Sequence, residues 1–287
     1  MNDSPRSVPD WITSLAAKAR QVDGAPPFSD QALVDYRTGV RELVALDEVA
    51  AALVSATEAE FVVNPDARGH RLGTRLLETL LDEGATLFWA HGDHPAARAL
   101  AASHGLIPVR ELLHFVQGLE LVETARTGYH AGEVSTSLDP LTLDPLKLDL
   151  FRPGQDEAEW VALNALIFRG HPEQGSVTQN DLEELETEPW FSADNFLVLW
   201  DDGRMIGYCW LKIEGDRGEF YVVGVHPDYQ GRKLGSLLFE AGLSRLRELG
   251  IRSSHLYVEG DNAPALALYR SRGFAQDSID IQYASLT

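Results

Sequence analysis

Hydrophobic residues along this chain switch between two periods, and the switches mark out its elements. From Trp11 to Val22 they recur at helical spacing, which predicts a helix. Leu43 to Val63 reads as strand. Further on, Asn195 to Trp200 and Met205 to Ile213 read as two strands joined by Asp201-Asp202-Gly203-Arg204. Asp-Gly there supplies the positive φ angles of a tight hairpin. Glu219 to Val225 predicts a third strand. Leu234, Leu237, Leu238, Ala241 and Leu249 then return to helical spacing, and Gly250 ends that helix. Ser254 to Val258 is again strand-like, and Asn262 is placed to cap a helix closing near Arg272-Gly273. Glu123 to Leu150 repeats Leu, Asp and Pro without helical period, as expected of a linker followed by the entering strand of a second domain.

The pattern repeats. Phe61 to Leu77 lines up with Val223 to Phe239, Pro65 matching Pro227 and Gly73 matching Gly235 at the same offset. Gly92 to Leu106 lines up with Gly260 to Phe274 at a slightly larger offset. Order and spacing recur together, which marks a tandem duplication.

Length agrees, since 287 residues suit two domains. A net charge of −20 argues against general nucleic-acid binding, which needs Lys and Arg to neutralise phosphate. Cys209 is the only cysteine, so an intramolecular disulfide and a cysteine zinc cluster are both excluded. Its strand-like setting reads as a buried small hydrophobe. No apolar run approaches the roughly 20 residues of a membrane span. Met1 to Arg6 has no signal-peptide core, so a cytoplasmic protein is expected. No residue spacing implies a metal.

The candidate chemistry begins at Gln230-Gly-Arg-Lys-Leu-Gly235, between a strand and an amphipathic helix. A helix N-terminus offers unpaired N–H groups and partial positive charge, which suit a diphosphate. By itself such a loop reads more readily as a simple turn than as a ligand site. Likewise Glu219 alone reads as a strand-edge charge, and Tyr269 as a packing aromatic.

The loop, with Val225-His-Pro-Asp228 before it and Gly260-Asp-Asn262, Tyr269 and Gly273-Phe274 after it, resembles the GNAT superfamily of N-acetyltransferases. The resemblance implies an α/β (α+β) fold of two tandem GNAT-type domains, each a mixed central sheet flanked by helices. The boundaries expected are 1–125, a linker at 126–147, and a catalytic domain at 148–287. It also implies acetyl-CoA as acetyl donor. Val223, Gly224 and Val225 would hold the pantetheine arm. Gln230, Gly231, Arg232, Lys233, Leu234, Gly235 and Ser236 would hold the diphosphate, with Asn262, Ala263, Ala265 and Ala267 also on the cofactor. Lys233 stands where the family usually has its first glycine, as Arg71 does in the first copy.

Acetyl transfer needs a neutral amine and a protonated leaving thiolate. By resemblance Glu219 is the base and Tyr269 the acid. Counting across the repeat without gaps places Thr57 and Ala101 at those positions, with Glu58 and Glu60 beside the first. The first copy keeps strand residues Phe61, Val62 and Val63 and the loop Arg68, Gly69, His70, Arg71, Leu72 and Gly73, either as a second acetyl-CoA site or as support for the fold, and is expected not to catalyse.

Over its whole length the chain also resembles the mycothiol synthase family, through Val22-Asp-Gly24, Phe88 to Gly92, Gly170-His-Pro-Glu-Gln-Gly175, Gly218 to Gly224 and Leu256 to Asn262. The stretch Gly170 to Gly175 separates it from other acetyltransferases. The family acetylates the amine of a small pseudo-disaccharide, which implies Asp30, Glu173, Lys212, Glu219 and Tyr257 as acceptor contacts; a monomer is expected. Asp30 also reads as a helix N-cap. The competing readings are a tandem acetyltransferase for another small amine and a non-catalytic acyl-CoA-binding regulator.

Overall fold

The computed structural model describes residues 6–119, 145–171 and 174–286. The first copy runs α1 (Asp10–Asp23), α2 (Asp30–Thr38), β1 (Glu42–Leu46), β2 (Ala50–Val54), β3 (Glu58–Val63), α3 (Leu72–Asp82), β4 (Leu87–Ala90), α4 (Pro95–Ser103) and β5 (Ile107–Gly118). The second runs β6 (Lys147–Leu150), α5 (Glu157–Ile167), α6 (Gln179–Leu185), β7 (Phe196–Asp201), β8 (Arg204–Glu214), β9 (Arg217–Val225), α7 (Leu234–Glu248), β10 (Ser253–Glu259), α8 (Ala263–Ser271) and β11 (Ala275–Ala284). The helix from Trp11, the hairpin at Asp202-Gly203 (φ 46° and 80°) and the entering strand β6 all fall where the pattern places them. The strand-like run from Leu43 is three strands, broken at two turns.

Two compact units result. The first comprises Met1–His114, Val258–Leu266 and Gln276–Thr287. Its strands β1, β2 and β3 pair antiparallel in turn, and β3 pairs parallel with β4. Alternation along β2 sends Ala51 and Leu53 to one face and Ala50 and Ala52 to the other. Ile12, Leu15, Phe28 and Ala32 of the α1–α2 segment cover the first set. Leu76, Leu77 and Leu80 of α3 and Ala101 of α4 cover the second.

Chain order and compactness divide the protein differently, because β11 belongs to this first unit. It pairs antiparallel with β4 from Ile281↔Ala90 to Ala284↔Leu87. Ile281 and Tyr283, two apart on one face, enter the same core as Phe88 and Leu76. The edge of β4 is thereby closed by a strand from the end of the chain.

The second unit comprises Phe115–Tyr257 and Ala267–Ala275. Here β6, β7, β8 and β9 pair antiparallel in turn, and β9 pairs parallel with β10. Trp160, Leu163 and Leu182 from α5 and α6 pack with Phe196, Val198, Tyr208, Trp210 and Val222 on one face. On the other face α7 comes so close that a Cβ on Gly242 would stand 2.6 Å from Phe220 and 2.9 Å from the Cys209 sulfur. The β8–β9 register shifts between Trp210 and Leu211, which face Val222 and Phe220, so Tyr221 is an inserted bulge residue. Among the described residues, no helix is long and apolar enough to cross a membrane.

Candidate functional site

In the second unit the chain leaves β9 at Val225 and reaches α7 through a fixed loop. The His226 side chain accepts from the Asp228 N–H at 3.1 Å and caps the turn at Pro227–Tyr229. The Gln230 amide donates to the Val225 carbonyl at 3.3 Å. Gly231 has φ 76°, and Lys233, the N-cap of α7, sits in the left-handed region at φ 62°. No side chain caps α7, so its first-turn N–H groups point outward without a partner from the cap position. Arg232 lies over Tyr229 at 5.1 Å, adding positive charge to the loop.

The first unit repeats this backbone. The Asn64 side chain caps the turn at Pro65–Ala67, Arg68 donates to the Val63 carbonyl at 3.3 Å, Gly69 has φ 82°, and Arg71 has φ 61°. The position where the superfamily carries glycine therefore keeps a glycine-like conformation in both copies, while Lys and Arg occupy it at a cost of about 1–2 kcal/mol each. The loops differ in charge: Arg68 is held by both oxygens of Asp23 at 2.7 and 2.6 Å, whereas its counterpart is the neutral Gln230.

Strand pairing then opens beside the loop. β9 and β10 are in register only from Arg217↔Ser253 to Phe220↔Leu256. Val223, Gly224 and Val225 run on, paired to β8 alone at Cys209, Tyr208 and Gly207. Their other backbone edge lies outside the β10 ladder, as a pantetheine arm would require. Gly224 is sterically fixed, because a Cβ there would come within 2.8 Å of Ile167 and 2.9 Å of Tyr208.

Just before the opening lies Glu219, half-buried. It is in register with Lys212 on β8 and His255 on β10, so a cation, a carboxylate and an imidazole line one face of three strands. Lys212 is not a surface charge: it is 7% exposed, with its ammonium 5.3 Å over Trp190 and 3.5 Å from Glu214. His255 lies 2.9 Å from the Ser253 hydroxyl. Tyr257, two residues further along the same face of β10, is 45% exposed.

Tyr269 packs 5.3 Å from the Phe239 ring and 6.2 Å from Phe274. Burial, with Cys209 nearby, pushes its phenol up to about 12, so it holds its proton at neutral pH. A phenol that stays protonated is suited to protonating a leaving thiolate. Cys209 itself is fully buried, and burial pushes its thiol up, consistent with a packing role.

The gapless count to Thr57 is corrected by the register. β2 and β3 pair without a shift through Leu53↔Glu60 and Val54↔Ala59, whereas β9 carries the extra Tyr221. Glu58, one residue before Ala59, therefore takes the place of Glu219. Its carboxylate is engaged by Arg41, by the Trp89 indole N–H at 3.2 Å and by the Gln282 amide at 2.9 Å. Glu60 is buried and accepts from the Ser29 N–H at 2.6 Å, the Ser29 hydroxyl at 2.7 Å and His91 at 3.2 Å. The other His91 nitrogen lies 3.0 Å from Asp280. Burial opposes charge on His91, yet Asp280 and Glu60 outweigh it and push the imidazole up to about 10. Ala101, at the Tyr269 position, is buried in the core.

The acceptor residues are placed unevenly. Asp30 is the first residue of α2, and the N-cap is Ser29, whose hydroxyl accepts from the Ala32 N–H at 3.1 Å, so the capping reading moves by one residue. Glu173 lies outside the described residues. The stretch that carries it is anchored at its far end, where Asn164 donates to the Gln174 carbonyl at 2.5 Å and accepts from the Tyr208 hydroxyl at 2.7 Å. Asn262 does cap α8, accepting from the Ala265 N–H at 3.2 Å; Ala263, Ala265 and Ala267 follow in that helix.

Residues 160–274 match the Acetyltransferase (GNAT) family. A mycothiol acetyltransferase of Sanguibacter keddieii is 42% identical, the match covering 95% of this chain and 91% of that protein. One from Clavibacter michiganensis is 43% identical, covering 95% and 90%. Among solved structures, a GCN5-related N-acetyltransferase from Sphaerobacter thermophilus superposes with a TM-score of 0.68 at 19% identity, covering 99% of this chain and 92% of that one. A tandem GNAT protein from the clavulanic acid biosynthesis pathway gives 0.65 at 17%, covering 96% and 94%. These two share the tandem fold.

Proposed function

Because the chain belongs to the mycothiol acetyltransferases, acetyl-CoA-dependent N-acetyltransferases of the GNAT family, we propose that it acetylates the cysteine amine of cysteinyl-glucosaminyl-inositol to give mycothiol. The observation that carries this reading is near-full-length similarity to proteins of that name, spanning both copies and the Gly170 to Gly175 stretch. The reaction takes place in the second copy of a cytoplasmic monomer.

The chemistry follows from the groups at hand. An alkylammonium near pH 7 must lose a proton before it can attack. Glu219 takes that proton, directly or through water. The amine nitrogen then bonds to the thioester carbonyl carbon, the carbon–sulfur bond breaks, Tyr269 gives its proton to the departing CoA thiolate, and the nitrogen loses its second proton through solvent, which returns the phenolate to phenol. The loop from Gln230 to Ser236 and the open edge of β9 hold the donor, so much of the acceleration comes from alignment. Lys212, Tyr257 and Glu173 contact the polar acceptor. The first copy binds its carboxylate internally through Arg41, Trp89 and Gln282 and does not catalyse.

Thiol release from acetyl-CoA by the purified protein tests this, with cysteinyl-glucosaminyl-inositol set against glucosaminyl-inositol, cysteine and spermidine. Strong preference for the first supports the assignment. Activity confined to another amine overturns the acceptor and keeps the acetyltransferase. No release with any amine, despite acetyl-CoA binding, means a binding protein without turnover.

A further inference from the structure

Arg272 closes α8 and takes no part in the chemistry above. Its guanidinium nevertheless reaches α7 at two points. Nη2 donates to the Ser236 hydroxyl, and Nε donates to Glu240 at 2.8 Å. The guanidinium carbon also lies 5.7 Å over the Phe239 ring, against which Tyr269 packs at 5.3 Å. The Gln117 amide holds the Arg272 carbonyl at 2.6 Å, so the end of α8 is fixed from the backbone side as well.

Ser236 stands in the first turn of α7, the helix whose N-terminus no side chain caps. A hydroxyl has one proton to donate and two lone pairs to offer. With one lone pair committed to Arg272, its O–H is turned away from the guanidinium and is free to donate elsewhere. The charge of Arg272 is brought to the same helix end, where anions are favoured.

The repeat supplies a comparison. His104 and Glu78, at the positions of Arg272 and Glu240, approach within 3.7 Å in the first copy. The two helices thus bring matching side chains together in both copies, but within hydrogen-bond distance only in the second. Thr74 stands where Ser236 does, and among the described residues its side chain makes no hydrogen bond. Only the second copy adds the contact to the first turn.

We infer that Arg272 is a positioning residue for the acetyl donor, aiming the Ser236 hydroxyl at the donor's diphosphate while pinning the helix that carries Tyr269. This rests on reading the first turn of α7 as the diphosphate site.

Calorimetric titration with acetyl-CoA, and with S-acetylpantetheine, which lacks the diphosphate, tests it on Ser236→Ala, Arg272→Gln and the double variant. Each single change is expected to weaken acetyl-CoA by about tenfold or more, the value of one hydrogen bond to a charged group. The double variant should be no weaker than the worse single by more than about twofold, since coupled neighbours are not additive. S-acetylpantetheine affinity should be unchanged throughout. Glu240→Ala, which removes only the helix tie, should leave acetyl-CoA affinity unchanged, and Arg272→Met carries the same test if the glutamine variant does not fold. Loss in Ser236→Ala with none in Arg272→Gln or Arg272→Met overturns the inference and leaves the diphosphate reading standing. Losses that multiply in the double variant, or that extend equally to S-acetylpantetheine, also overturn it. No loss in either single overturns both.

Discussion

Glu58 stands in the first copy at the register position that Glu219 holds in the second, and what separates them is their partners. Arg41, Trp89 and Gln282 all donate to the Glu58 carboxylate. Arg41 is only 5% exposed, so removing Glu58 leaves a buried guanidinium with one fewer carboxylate. Breaking such a pair costs about 3–5 kcal/mol. Because Asp35 and Glu60 still face Arg41, Glu58→Gln is expected to lower the unfolding free energy measured by urea titration by up to that amount, while the folded variant turns over normally. Loss of turnover with unaltered stability would assign Glu58 to the chemistry.

His91 makes the stability depend on pH. Its folded value, about 10, lies above the ordinary 6.5, so folding favours the charged form. The stability it contributes is fully present below the unfolded value and lost as pH rises through the folded one. Melting temperature should therefore fall across that window, and more steeply than in His91→Gln, which starts lower. Parallel curves for the two proteins would show that the imidazolium contributes nothing.

Lys233 and Arg71 carry backbone cost that glycine would relieve. The left-handed penalty of about 1–2 kcal/mol exceeds glycine's entropic cost of roughly 0.5–1 kcal/mol. Lys233→Gly should therefore be slightly more stable yet bind acetyl-CoA several-fold more weakly, because a cation leaves the loop. Arg71→Gly should gain stability with turnover unchanged. Opposite signs of stability and affinity in Lys233→Gly are the readout; a loss of both would mean that the side chain packs.

Tyr269→Phe should lower kcat by about a hundredfold or more, the scale of a lost general acid, with acetyl-CoA affinity nearly intact. Because its phenol titrates only near 12, the acid remains protonated through the ordinary alkaline range. The wild-type profile should accordingly show no descending limb from Tyr269 below about pH 10. Equal loss of affinity and kcat in the variant would make Tyr269 a packing residue.

Much of this was legible in the sequence because it rests on local signals. The Asp202-Gly203 hairpin, the Asn262 cap and the strand-to-helix loop each depend on residues close in the chain. The bulge at Tyr221 was not legible: it depends on how β8 lies against β9, and it displaces the repeat count by one residue. The same holds for β11, whose placement against β4 reflects a strand edge needing closure far away in sequence. The cluster of Arg41, Glu58, Glu60, His91 and Asp280 draws on four separate stretches, and no spacing announces it. The seating of the Lys212 ammonium over Trp190 was not legible either, since the two residues are far apart in the chain.

The most direct measurement is steady-state acetyl transfer by Glu219→Gln beside Glu58→Gln, each with acetyl-CoA binding measured in parallel. Glutamine keeps the shape and removes the base. If the second copy alone catalyses, Glu219→Gln loses about a hundredfold or more in kcat with acetyl-CoA affinity unchanged, and Glu58→Gln keeps its rate. Full turnover in Glu219→Gln at saturating substrates would contradict the assignment of the base and, with it, the division of labour between the copies.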